Sequence, residues 1–162
     1  MESLNNIVQE YTKQLSKGQI QKAYRGIMSF MSGLKSHLEQ RYPNYSISAL
    51  YFGYMDMTYF ACTPPDLKDK KLKIAIVYLH KEGRFEAWLG GNNRKIQAEF
   101  IEWLSEKDIG KHRLSKPVPG VDSIIEVILV EDPDFDKLEE LKTQIEVKTI
   151  EFINDLITII NE

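Results

Sequence analysis

The fold is decided by one stretch of the sequence, residues 72–90, which reads LKIAIVYLHKEGRFEAWLG. Residues 72–80 and 84–90 are rich in β-branched and aromatic side chains, as strands are. Lys81, Glu82 and Gly83 separate the two runs, and a short loop that ends in glycine favours a hairpin. The stretch therefore predicts two antiparallel strands.

The pairing of these strands predicts two different sheet faces. With a loop of two or four residues, the facing pairs are His80–Phe85, Tyr78–Ala87 and Ile76–Leu89. One face is then apolar and suited to a core, and it comprises Ile74, Ile76, Tyr78, Phe85, Ala87 and Leu89. The other face is mixed, and it comprises Lys73, Ala75, Val77, Leu79, Arg84, Glu86 and Trp88. A mixed face fits a half-solvated surface, a seat for an amphipathic helix or the floor of a ligand groove.

Helices are predicted on both sides of the hairpin, because apolar residues recur there at spacings of three and four. Ser3 can cap the first helix, and Asn92 or Asn93 can cap the middle one. Asp132 and Pro133 open a long C-terminal helix, with proline at its first position. The first, second and middle helices are predicted over residues 3–17, 19–41 and 94–107.

Two further segments have strand character. Residues 45–62 are long for one strand, so Gly53 is expected to mark a bulge, bend or turn. A charged loop over 66–71 follows. Residues 123–130 form a near-continuous apolar run, which favours an inner strand covered on both faces.

Together these elements predict one α+β domain over residues 1–162. Its sheet should be mostly antiparallel, with about four or five strands. An N-terminal helical hairpin, a middle helix and a long C-terminal helix are expected to pack on it.

Composition narrows the class of protein. Residues 1–121 carry a net charge of +6 and residues 122–162 a net charge of −9. The basic excess is spread over many elements and is not concentrated in a stripe, which disfavours nucleic acid as a partner. The sequence contains no run of about 18 apolar residues, so no membrane span is predicted. The N-terminus has no secretory signal pattern, and the lone Cys62 excludes an internal disulfide. These features predict a cytoplasmic protein.

The most site-like segment is Trp88 to Lys95, where a strand ends and a helix begins. Gly90 and Gly91 allow close backbone approach, and Arg94 adds charge beside the helix N-terminus, so the segment can hold a phosphate or carboxylate. Arg84 and Glu86 extend this candidate ligand site along the mixed face. Asp56 is added because its aromatic neighbours suggest a buried carboxylate in need of a partner.

Two other functions remain open, a metal-dependent hydrolase and a protein-interaction module. Asp56, Glu86 and Glu126 could hold Mg²⁺ in a metal-dependent hydrolase, but the lysine that usually follows the acid two residues later in nucleases is missing. The histidines show no ligand spacing, and we predict no catalytic residue, no metal ligand and no cofactor.

The C-terminal helix suggests a different role, a protein-interaction module. A helix that is apolar nearly all round is buried on two sides, either by a homodimer or by the monomer. The apolar residues concerned are Ile150, Phe152, Ile153, Leu156, Ile157, Ile159 and Ile160.

Four motifs resemble an uncharacterised bacterial domain family that covers nearly the whole chain: GYMDMTYF at 53–60, KLKIAIV at 71–77, RFEAWL at 84–89 and GVDSIIE at 120–126. The resemblance implies a bacterial, stand-alone cytoplasmic protein and carries no activity that could be transferred. The leading hypothesis is thus a non-enzymatic binding module for a small anionic or aromatic ligand, and an enzyme is disfavoured.

Overall fold

A computed structural model describes residues 2–162. Five strands form one antiparallel sheet in the order β1-β2-β3-β4-β5, so that each strand pairs with its neighbours in the sequence. The predicted α+β class and the predicted sheet are confirmed. The elements are α1 (Leu4–Ser16), α2 (Gln19–Arg41), β1 (Ser46–Ile47), β2 (Met57–Thr63), α3 (Pro65–Lys68), β3 (Leu72–Leu79), β4 (Arg84–Gly91), α4 (Arg94–Leu104), β5 (Ser123–Val130) and α5 (Leu138–Asn161).

The hairpin of β3 and β4 has the predicted faces but a different register. Leu79 pairs with Arg84, and the backbone N–H of Gly83 closes the turn by donating to the Leu79 carbonyl at 2.8 Å. Gly83 has φ 67°, which a residue with a side chain adopts only with strain. The observed pairs are Tyr78–Phe85, Ile76–Ala87 and Ile74–Leu89, two residues away from the predicted pairs. A shift of two leaves every side chain on its predicted face.

The apolar face of the hairpin lies in the core. The buried apolar residues of α2, α4 and α5 belong to the same cluster as the side chains of this face. Among the largest of them are Met31 and Leu34 from α2, Phe60 from β2, and Ile74 and Phe85 from the hairpin. The helices therefore cover one side of the sheet with a continuous apolar layer.

Residues 45–62 do not form one long strand. Only Ser46–Ile47 and Met57–Thr63 are strands, and the chain turns between them at Gly53, which has φ 78°. A Cβ on Gly53 would lie 1.9 Å from the Met57 carbonyl oxygen, so the turn requires glycine. Tyr51 returns alongside β2 and forms an isolated antiparallel bridge with Tyr59. The expected loop over 66–71 is also partly wrong, because Pro65–Lys68 form a short helix.

Strand β5 is an edge strand, so the prediction of an inner strand was wrong. It pairs with β4 on one side, and on the other side the bridge between Leu114 and Ile125 protects its first residues. Glu126 and Ile128 are exposed. The apolar run still contributes Ile124, Ile125 and Leu129 to the core, because two register shifts against β4 interrupt the simple alternation of faces.

The C-terminal helix begins at Leu138 and not at Asp132–Pro133. The preceding residues form a turn, in which the Asp134 side chain accepts a hydrogen bond from the Asp136 backbone N–H at 3.0 Å. Phe135 in this turn packs edge to face against Phe30, with ring centroids 5.9 Å apart. The proline thus precedes an aromatic anchor and not a first helical turn. The middle helix is also shorter than predicted and ends at Leu104.

One carboxylate clamps α2 to α5. Glu146 is buried, and it accepts hydrogen bonds from the Tyr42 hydroxyl at 2.8 Å and pairs with His37 Nε2 and Arg41 Nε at 2.7 Å each. Burial alone raises the pKa of this carboxyl, but the hydrogen bonds from His37 and Tyr42 and the Arg41 charge outweigh burial and lower it. Glu146 is therefore held as an anion between the two longest helices.

Cys62 is buried as a free thiol. Burial raises its pKa to about 12, so the reactive thiolate is scarce at neutral pH. The cysteine serves as a small apolar side chain in the core, as its strand position suggested.

Candidate functional site

A groove of about 520 Å³ lies on the mixed face of the sheet, across β2, β3 and β4. This volume is in the range of small-molecule sites. The side chains and backbone that line it are Tyr51, Asp56, Met57, Tyr59, Lys73, Ala75, Val77, Trp88, Gly90, Gly91, Asn92, Asn93, Arg94, Gln97 and Asp122. Of the three interpretations of the mixed face, the floor of a groove is the one that describes its geometry.

The groove exists because small residues lie between large ones. In the sheet register Ala75 pairs with Trp88, and Lys73 pairs with Gly90. Tyr59 stands on the neighbouring strand, opposite Val77. Because Ala75 and Gly90 have little or no side chain, the surface dips between the aromatic rings and the lysine.

Trp88 is fixed in this groove by a buried carboxylate. Its indole Nε1–H donates to Glu86 Oε1 at 2.8 Å, and Arg84 Nε donates to Glu86 Oε2 at 2.7 Å. Glu86 is buried and both of its oxygens are thereby occupied. Glu86 thus orients Trp88, and the indole offers a ligand its ring surface and not its N–H group.

A pair of tyrosines lines the side of the groove formed by β2. The rings of Tyr51 and Tyr59 lie 5.0 Å apart at an angle of 37°. Asp56 follows in the same loop and is exposed, which corrects the expectation of a buried carboxylate in a strand. The backbone N–H of Tyr54 donates to Asp56 Oδ1 at 2.9 Å, and this bond and a second from Met57 lower the pKa of Asp56. The far end of the groove therefore carries an anion.

The other end is built by the start of α4. The Asn93 side chain caps the helix by accepting the Ile96 N–H at 2.9 Å. A Cβ on Gly91 would lie 2.8 Å from the Gln97 nitrogen, so this glycine is required for α4 to approach β4. Arg94 donates to Asp122 Oδ1 at 2.9 Å, and the buried Gln97 donates to the carbonyl of Val121 at 2.8 Å.

These bonds show that Arg94 fastens α4 to the loop before β5. Its guanidinium is already engaged by Asp122 and by the Val121 carbonyl. Lys73 differs: it is exposed, and within residues 2–162 its ammonium group makes no hydrogen bond or ion pair with another side chain or carbonyl. Lys73 is therefore the cation in this groove that a ligand can engage without displacing a protein partner.

Five of the seven predicted ligand residues line the groove together: Asp56, Trp88, Gly90, Gly91 and Arg94. Arg84 and Glu86 do not line it: Glu86 accepts the hydrogen bond of the Trp88 indole, and Arg84 binds Glu86. The predicted ligand residues left out Lys73, which was placed on the mixed face and considered only as a cation that could pair with Asp56. They also left out Tyr51, because no local signal brings residue 51 back against β2.

The three carboxylates of the hydrolase hypothesis do not converge. Glu126 accepts a hydrogen bond from the Ser123 hydroxyl at 2.5 Å, while Glu86 is engaged by Arg84 and Trp88. Between residues 2 and 162, no three side chains of His, Cys, Asp or Glu are grouped as a metal ion would require. This arrangement removes the geometric basis for a metal centre built from Asp56, Glu86 and Glu126.

The histidines have partners that define structural roles. His80 Nε2 lies 2.8 Å from the Thr58 hydroxyl, which itself donates to the Phe52 carbonyl at 2.7 Å. Burial lowers the pKa of His80. His37 contacts Glu146, and His112 lies 3.3 Å from Asp155.

None of the helices within residues 2–162 is long and apolar enough to cross a membrane. Comparison with curated proteins and with solved structures gave no match. A family model described as "Domain of unknown function (DUF7000)" matches residues 4–160. Since the match spans nearly the whole sequence, the chain belongs to the DUF7000 family.

Proposed function

We propose that this protein is a non-enzymatic binding module whose groove takes a small anionic or aromatic ligand. The observation that carries the proposal is the lining of the groove, which combines aromatic rings with the unpartnered Lys73 over a floor of small residues. Binding sites of this kind join apolar surface with a few polar groups that fix orientation.

We propose that the protein functions in a bacterial cytoplasm. Its support is the family resemblance together with the buried free thiol of Cys62, since free cysteines are typical of reducing compartments. A homodimer through α5 stays a prediction. The apolar side chains of α5 are largely buried within the monomer, and the large ones that remain exposed are Leu138 and Val147.

The test fills the groove without changing its charge. Ala75→Leu places a larger side chain on the floor beside Trp88, and should abolish ligand binding. Ala98→Leu is the matched control, because Ala98 is exposed on α4 and lies outside the groove lining. A library of small aromatic and anionic compounds would be screened by thermal shift against wild type and both variants.

A compound at about 100 times its dissociation constant adds about 2.7 kcal/mol to the free energy of unfolding, which raises Tm by several degrees. We expect such compounds to stabilise wild type and Ala98→Leu, and to leave Ala75→Leu unchanged. Equal stabilisation of both variants would place binding elsewhere, and a library without a stabilising compound would count against the proposal.

A further inference from the structure

The two ends of the groove differ in charge, and this difference bears on the chemistry of its ligand. Lys73 lies at the end formed by Gly90 and the start of α4. Asp56 immediately precedes Met57, which pairs with Leu79 at the other end of β3. Residues 73 and 79 are six positions apart, or about 20 Å along the strand. A charged ligand therefore has one favoured direction in the groove.

The aromatic part of the site lies close to the cationic end. Ala75 is a floor position: it pairs with Trp88 on β4 and with Ala61 on β2, and Tyr59 is the next residue of β2 on the same face. Lys73 is two residues before Ala75 and on the same face, so their Cα atoms are about 7 Å apart. A ring above Ala75 would thus lie beside the lysine side chain.

The environment of Lys73 favours an anion at that point. A Cβ on Gly90 would lie 3.8 Å from Lys73 Cε, so the lysine stem runs over the glycine in van der Waals contact. The N-terminus of α4 borders the same end, and the positive end of its dipole adds to the lysine charge. The nearby acid Asp122 is neutralised by Arg94 at 2.9 Å. The net field at this end is therefore set by Lys73.

We propose that the groove selects an aromatic anion: a ring system that stacks above Ala75, with a carboxylate, sulfonate or phosphate directed at Lys73. The proposal rests on the groove being a ligand site and deepens it, since it requires ring and anion in one molecule. The Glu86–Trp88 bond keeps the indole N–H occupied, so the ring is recognised by stacking and the anion by Lys73.

Two dyes that differ only in the anion test this proposal. The dyes are 8-anilinonaphthalene-1-sulfonate and its neutral parent, N-phenyl-1-naphthylamine. The protein has two tryptophans, and a Trp103→Phe background leaves Trp88 as the donor for energy transfer to a dye in the groove. In that background, titrations would use Lys73→Gln, Ala75→Leu and the control Lys81→Gln, which removes an exposed lysine from the hairpin turn.

We expect energy transfer from Trp88 to the sulfonate dye in the parent and in Lys81→Gln. Lys73→Gln should weaken binding of the sulfonate dye roughly tenfold, because a hydrogen bond to a charged group is lost, and should change binding of the neutral dye less than twofold. Ala75→Leu should abolish binding of both dyes. Circular dichroism and Tm of each variant would exclude unfolding as the cause.

The contrary outcomes separate the two proposals. If both dyes bind in a manner that depends on Ala75 but Lys73→Gln leaves the sulfonate dye unaffected, the aromatic anion is refuted and the groove remains a binding site. If neither dye binds, or if binding is indifferent to Ala75→Leu, both proposals fail for aromatic ligands.

Discussion

Helices α1 and α5 have similar sequence patterns and opposite environments. Both carry apolar residues at helical spacing, and both were expected to pack on the body of the protein. Eight residues of α5 are buried, whereas α1 has none, and Leu4 on its apolar stripe is 75% exposed. The contrast teaches that periodicity identifies an apolar face but not the surface that covers it.

The structural reason is how each helix is attached. Helix α5 follows β5 and packs against β5, β4 and α2. Helix α1 is joined to α2 through Gly18, which has φ 80°, and Gln21 of α2 donates a hydrogen bond to the Leu15 carbonyl at 2.9 Å. Gln14 and Leu15 near its end are half-buried and the other residues of α1 are exposed, so most of its stripe faces solvent.

The largest expected effect comes from removing a core side chain of α5. Ile153→Ala should lower the free energy of unfolding by about 3 kcal/mol, because it deletes a fully buried side chain and leaves a cavity. Ile7→Ala in α1 should change it by no more than about 0.5 kcal/mol, because Ile7 is half exposed. Urea denaturation measures both values, and a loss at Ile7 comparable to that at Ile153 would mean that α1 is covered in solution.

The Glu146 clamp should give an intermediate, pH-dependent effect. Glu146→Gln should cost about 1–3 kcal/mol at pH 7, because groups hydrogen-bonded to the buried carboxylate lose their anionic partner. Since folding lowers the pKa of Glu146, its contribution is present above the unfolded pKa of about 4.3 and is lost as pH falls through the folded value.

The difference between wild type and Glu146→Gln in chemical denaturation should therefore shrink as the pH falls below the unfolded pKa of about 4.3, because the folded pKa is lower still. Glu139→Gln is the control, because Glu139 lies on the exposed first turn of the same helix. A stability difference between wild type and Glu146→Gln that grows towards low pH would contradict the prediction that ionised Glu146 stabilises the fold.

The smallest effect is expected at the helix caps. Asn93→Ala should cost about 1 kcal/mol, since it uncaps α4, which is packed on β4 and β5. Ser3 caps α1 in the same way, by accepting the Asn6 N–H at 3.2 Å, but Ser3→Ala should fray α1 and leave global stability unchanged. Amide hydrogen exchange would separate local from global opening, and equal global losses would remove the distinction between the two helices.

The features that were predictable from sequence are those with local causes. The turn at 81–83 and the Asn93 cap are short-range signals, and the period of two assigned each side chain of the hairpin to its face even though the register was off by two. The position of β5 at the sheet edge was not predictable, because an apolar run records burial and not the number of neighbouring strands.

The candidate site shows the same division. Trp88, Gly90, Gly91 and Arg94 are close in sequence, and their nearness in space follows from the strand–helix junction. Tyr51 reaches the groove through a bridge to Tyr59, which depends on the turn at Gly53. Glu86 was expected to meet a ligand, but only the side-chain geometry reveals that it holds Trp88.

The sheet has a consequence for how the chain folds. Every strand pairs with the next one in sequence, and β2, β3 and β4 are joined by short connections, so these three strands can pair with a small entropic cost of closure. Strand β5 joins them only after the longer segment 92–122, which contains α4. The clamp is the opposite case: His37 and Glu146 are 109 residues apart in sequence. Docking of α5 against α2 thus closes the longest loop of the fold, and the order of events on the folding pathway should run from the sheet to this final closure.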